Sequence, residues 1–145
     1  FLFKKSVKVY VPIVKTIANA DPALWDTDAH CYTPPNIDLI MKFKEGVTQA
    51  FAETSIPSDI LVTKIMLGVF GNVPAFDTYF KKGFPVSLFG KRALEKVGDF
   101  YQVNKAIIDQ YRIQTLDFGT GQPTQRRYSR AKVIDMIFFV EGRKP

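Results

Sequence analysis

Apolar residues recur three and four positions apart through nearly every long segment of this chain. No segment alternates apolar with polar residues cleanly enough to read as a half-buried strand. This pattern restricts the fold more than any other feature, because side chains at i, i+3, i+4 and i+7 share a face only on a helix. The clearest stripe is Ile37, Ile40, Phe43, Val47 and Phe51. Pro34-Pro35 stop any earlier helix from running into it, and Asn36 is placed to cap it. Gly46 inside the stripe weakens the helix by ~1 kcal/mol relative to Ala.

The same reading divides the rest of the chain. Residues 1–20 form a first helix, or a short strand leading into one, with Pro12 in the first turn, where its missing N–H costs nothing. Residues 21–35 are a loop. Ser58 caps a third helix with Asp59 in its first turn, where the helix dipole favours an acid. That helix carries Ile60, Leu61, Ile65 and Leu67, is apolar on most sides, and is expected at the centre of the core. It ends near Gly68 and Gly71, and Pro74 opens a short helix holding Phe76, Asp77, Tyr79 and Phe80. Residues 81–85 turn. From Ser87 or soon after, a long helix runs to about Ile113 with Leu94, Val97, Tyr101, Ile108 and Tyr111 on one face. Residues 117–125 are a polar, Gly-containing loop and the expected flexible segment. Ser129 caps a last helix that buries Val133, Ile134, Ile137, Phe138 and Val140 and stops at Gly142. No repeat or low-complexity tract interrupts this order. The expectation is one all-α domain over residues 1–145, an orthogonal bundle of about five to seven helices. A chain of 145 residues with 46% apolar content and 13 Phe can fill such a core without a disulfide or a structural metal.

Two counts exclude much chemistry. The chain has one His, His30, and one Cys, Cys31. Structural zinc needs four N or S ligands, and zincin and facial-triad sites need two His. Cys31 beside His30 makes a poor nucleophile–base pair, since adjacent side chains rarely reach one substrate together and no orienting third group is visible. Asp26, Asp28 and His30 alternate along the loop, but a calcium loop needs a central Gly and a spaced Glu, and both are missing. The segment 119–124 has the glycines of a phosphate loop without its Gly-Lys-Ser/Thr ending. The expectation is no metal and no cofactor. A single Cys suits a reducing, cytoplasmic setting. The basic start of the chain has the look of a signal segment, but Lys8, Pro12 and Lys15 break its apolar stretch, and no run of 18 apolar residues offers a membrane span.

Lys and Arg number 20 against 14 Asp and Glu, a net charge of +6. That balance suits an acidic partner such as nucleic acid, and it also serves solubility alone. The cations cluster. Lys81, Lys82, Lys91 and Arg92 form one group. Arg126, Arg127, Arg130 and Lys132 form another, interleaved with Tyr128. Each group is either a phosphate contact with aromatic support or a solvated helix end. Cations at a helix start oppose the dipole, which singles out Arg130 and Lys132. Between the two helices that meet at residues 68–74, Gly68 and Gly71 allow close backbone approach, and free N–H groups there suit an anion. The plain alternative is a buried turn. Asp77 is either a functional acid or a first-turn acid paired with Lys81 at i+4.

Residues 63–80, with Lys64, Gly68, Gly71, Pro74, Phe76 and Asp77, resemble the helix-hairpin-helix DNA glycosylase superfamily or a related bacterial family without that activity. The closing helix, with Asp135, the apolar run after it and Gly142, is similar to the end of such chains. The resemblance implies an all-helical fold, a Gly hairpin that grips DNA phosphate, and Asp77 as the catalytic acid. The hairpin here is Gly-x-x-Gly where the family has Gly-x-Gly, and the Lys or Thr usual after the second Gly is absent. The leading expectation is a basic helical module that binds nucleic acid. Its rivals are a protein–protein interaction or regulatory module, and a glycosylase-like enzyme using Asp77.

Overall fold

Two of the longer helices begin at the serine caps expected for them, Ser58 and Ser129. A computed structural model describes residues 7–51, 56–86 and 88–145. Residues 1–6 of the expected first helix, and Ser87, lie outside the described residues. A single 3₁₀ turn, Val7–Tyr10, leads into α1 (Val11–Ala18), with Pro12 in its first turn as expected. The short α2 (Ala23–Asp26) and a 3₁₀ turn (Ala29–Cys31) interrupt the loop that follows. Next comes α3 (Pro34–Ala50), which buries Ile37, Ile40, Phe43 and Val47. Its N-cap is Thr33, not Asn36. Pro34 and Pro35 have helical φ and no N–H to satisfy, so the helix begins at them. Asn36 then falls inside the first turn and donates its amide to the Cys31 carbonyl at 2.8 Å.

Ser58 caps α4 (Asp59–Val69) by accepting the Leu61 N–H. The next helix differs from expectation. α5 spans Thr78–Gly83 and does not begin at Pro74. Residues 72–76 are buried and irregular, and Asp77 takes the capping role by accepting the Tyr79 and Phe80 N–H groups. α6 (Lys91–Ile108) is shorter at both ends than the expected span of 87–113.

The largest departure follows α6. The expected loop of residues 117–125 is the turn and the beginning of the second strand of an antiparallel ribbon, β1 (Gln114–Leu116) and β2 (Pro123–Arg127), with Gln114 opposite Arg127, Leu116 opposite Pro123, and a bulge between. Asp117 holds its turn by accepting from the Gly119 and Thr120 N–H groups and from the Thr120 hydroxyl. Gly121 supplies the left-handed φ of 68°. Ser129 caps α7 (Arg130–Arg143) through the Lys132 N–H at 3.1 Å, as expected, but the helix runs one residue past Gly142. The fold is therefore mostly α-helical, with several helices and one small ribbon.

The core collects the buried stripes of α3, α4, α6 and α7, including Val62, Met66, Leu94, Val97, Ile108 and Ile134. Each such side chain contributes roughly 1.5–3 kcal/mol relative to exposure. Phe80, Phe84, Phe100 and Phe138 continue it as a chain of tilted and edge-on ring contacts, with centroids 4.7 to 6.3 Å apart. α5 and α7 lie almost backbone to backbone. A Cβ on Gly142 would overlap the Tyr79 carbonyl, and one on Gly83 would strike the Phe138 carbonyl. Gly142 is thus a packing residue inside α7. Among the described residues no helix is long and apolar enough to cross a membrane.

Candidate nucleic-acid interface

The first basic cluster comes together in space. Lys81 and Lys82 stand in the last turn of α5, where cations complement the helix dipole. Lys91 and Arg92 open α6, where they oppose it, and neither an acid in the first turn nor a side-chain cap offsets them. These four, joined by Lys96, line a groove of about 1010 Å³ between α5 and the start of α6. No acid is among its lining residues, so every charged residue of the lining is a cation. Lys91 pairs with Asp38 outside it, and this carboxylate, through its hydrogen bond first, holds the ammonium above its ordinary pKa. Lys96 donates to the Pro85 carbonyl at 3.3 Å. Among the described residues, Lys81, Lys82 and Arg92 have no acidic partner. Lys96 was missed in the sequence, although it stands at i+4 from Arg92 and so shares its helix face.

The entry to α6 is held from the far side. Asp59 accepts the Phe89 N–H at 3.1 Å and pairs with Lys44 at 2.9 Å, and Lys44 in turn donates to the Phe89 carbonyl at 2.9 Å. One ion pair between α3 and α4 thereby positions the first turn of α6 and its cations.

The second cluster divides. Arg130 turns inward. Its Nε donates to Asp109 at 2.8 Å and to the Tyr101 hydroxyl at 3.1 Å, and its guanidinium lies over the Tyr101 ring. Burial alone would raise the Asp109 carboxyl. Hydrogen bonds from Arg130 and Tyr101 outweigh it and hold the group below the usual carboxylate range. Lys132 donates to the buried Asp135 at 2.8 Å, and Asp135 also accepts the Ala75 N–H at 2.9 Å. The dipole cost of cations at the start of α7 is met by these carboxylates. Arg126 and Arg127 instead stand exposed on β2, with no acidic partner among the described residues.

The backbone from Gly71 to Phe76 packs inward, while Gly68 stays exposed. The Gly71 carbonyl accepts the Ser129 hydroxyl, the Asn72 carbonyl accepts the Tyr32 hydroxyl, and the Phe76 N–H donates to Thr63. With the Gly71 and Ala75 N–H groups also bonded internally, these donors are not free for a phosphate. Gly71 has a left-handed φ of 68°, whereas a Cβ on Gly68 would meet nothing within 4 Å.

Asp77 spends one oxygen on its cap, and its other lies 3.8 Å from Lys64. Lys81 is not its partner. The pair of Lys64 and Asp77 and the pair of Lys132 and Asp135 border one pocket of about 590 Å³, walled by Leu67, Phe139 and other apolar side chains. Asp28 does not join a metal site. It binds the start of α7, and among the described residues no group of three or more His, Cys, Asp or Glu is placed to hold a metal ion. Comparison with protein-family models, with curated proteins and with solved structures finds no match to this chain.

Proposed function

We propose that this chain binds nucleic acid through the groove between α5 and the start of α6. One observation carries the reading: Lys81, Lys82, Lys91, Arg92 and Lys96 line a single groove with no acid among its lining residues. Lys81, Lys82 and Arg92 have no acidic partner among the described residues, and Lys91 and Arg92 stand at the unfavourable end of their own helix dipole. A polyanion relieves both terms and releases counterions as it binds. The test is binding of labelled DNA and RNA oligonucleotides across a salt series, with Lys81→Ala/Lys82→Ala and Arg92→Ala. The triple change is expected to reduce the log–log salt slope by about 2 to 3 and to weaken binding most at low salt. No binding at ~50 mM salt removes the reading and leaves the charge to solubility.

A second reading rests on the pocket beside Asp77. A largely apolar cavity of about 590 Å³, bordered by the Asp135–Lys132 pair and by an Asp77 oxygen that lies outside its cap and 3.8 Å from Lys64, suits a base turned out of the nucleic-acid stack. Incubation with oligonucleotides carrying damaged bases, comparing wild type with Asp77→Asn, tests it. Release of a base by the wild type alone supports a glycosylase-like role for Asp77, and no release by either protein removes it.

A further inference from the structure

The ribbon of β1 and β2 gives the body of the molecule almost nothing. Apart from Thr115 and Thr124, which share a hydrogen bond at 2.6 Å, all its residues from Gln114 to Arg127 are exposed. An isolated two-stranded ribbon is marginal in water, so its side chains are not there to build the core. What they carry is specific. Arg112, Arg126 and Arg127 are exposed, and among the described residues none has an acidic partner. The one ribbon acid, Asp117, is occupied by its own turn.

Aromatic residues show the same separation. The exposed rings of Trp25 and Tyr79 rest against Phe70 and Phe139. Tyr111 and Tyr128, at 53% and 37% exposure, flank the root of the ribbon, and Phe118, at 106%, stands at its tip. None of these three rings contacts another ring among the described residues. Exposed rings and guanidinium groups without an acidic partner thus gather at the root of one exposed arm, with a further ring at its tip. That combination recognises unpaired bases on a charged backbone, where rings stack on bases and cations follow the phosphates. The excess of positive charge argues against a second copy of the same arm as occupant.

We infer that the ribbon from Tyr111 to Tyr128 is a binding arm for single-stranded nucleic acid, with Phe118, Tyr111 and Tyr128 stacking on bases and Arg112, Arg126 and Arg127 on phosphates. The inference rests on the proposed binding of nucleic acid and adds its strand state. The test uses the whole chain and a labelled 12-nucleotide single strand, the matching duplex, and vesicles with anionic lipid. Phe118→Ala is expected to weaken single-strand binding on the order of 10- to 100-fold with an unchanged salt slope, because stacking releases no counterion. Arg126→Ala/Arg127→Ala is expected to reduce that slope by about 1.4. All three side chains are exposed, so an unchanged thermal melt separates lost contacts from lost structure. Unchanged single-strand affinity in both variants, alongside weakened binding in Lys81→Ala/Lys82→Ala, overturns the arm and leaves the groove. Equal losses on duplex and single strand overturn strand selectivity. Vesicle binding lost in Phe118→Ala without any oligonucleotide binding assigns the arm to a lipid surface and overturns both proposals.

Discussion

The Asp28 carboxylate holds the first turn of α7 from 102 residues away, accepting the Arg130 N–H at 2.9 Å and the Ala131 N–H at 2.8 Å. The Arg130 guanidinium closes over the same carboxylate at 3.6 Å. A loop acid thus performs tertiary capping, and it places the root of the ribbon, whose second strand ends at Arg127, three residues before Arg130.

Asp28→Ala leaves two N–H groups at a helix start without their acceptor. The expected loss is roughly 2–3 kcal/mol of stability, read as a lower urea midpoint with an unchanged m-value. Asp28→Asn keeps one acceptor oxygen and is expected to lose about half as much. Equal stability of wild type and Asp28→Ala would contradict the capping role.

Arg130→Ala removes two charge-assisted hydrogen bonds and the contact with the Tyr101 ring. The guanidinium is partly exposed, so the expected cost is only about 1–2 kcal/mol. Because Arg130 faces inward, its loss is expected to change the salt slope of oligonucleotide binding far less than Arg126→Ala/Arg127→Ala does.

Two glycines predict opposite outcomes. Gly142→Ala drives a Cβ into the Tyr79 carbonyl, and α5 and α7 must part, at an expected cost above about 3 kcal/mol. Gly68→Ala places its methyl group in open space near the end of α4 and is expected to stabilise by about 0.5–1 kcal/mol. Thermal melts of the two variants, shifting in opposite directions, check both.

Alkaline pH tests the interior near Asp28. Burial first, then the Asp28 carboxylate, holds the Tyr32 hydroxyl well above its ordinary pKa. The raised folded value means that this contribution to stability is fully present below the unfolded value of about 10 and is lost as pH rises above it. Tyr101 is also raised, by burial first, and adds to the same window. Urea midpoints are therefore expected to fall above about pH 10, and less steeply in Tyr32→Phe than in wild type.

How much of this was legible in the sequence depends on the range of the forces involved. The stripe from Ile37 to Val47 declared α3, and Ser58 and Ser129 declared two helix starts, because periodicity and capping act within one or two turns. The ribbon escaped notice for the same reason. β1 has three residues, neither strand has a core face, and alternation needs a buried side to become visible.

The site followed the same division. Local order along the chain already determined a mostly helical fold, its caps at Ser58 and Ser129, and two groups of cations. Tertiary structure alone decided which cations stand without an acidic partner among the described residues. Lys81, Lys82, Arg92 and Lys96 converge because the end of α5 and the first turns of α6 border one groove. Arg130 and Lys132, equally basic in the sequence, are drawn to Asp109 and Asp135 by packing. Tertiary structure likewise turned the Gly71 backbone inward, to Ser129, 58 residues away. Charge and periodicity are properties of neighbours in the chain. Whether a charge is satisfied depends on neighbours in space, and those exist only after the chain has closed on itself.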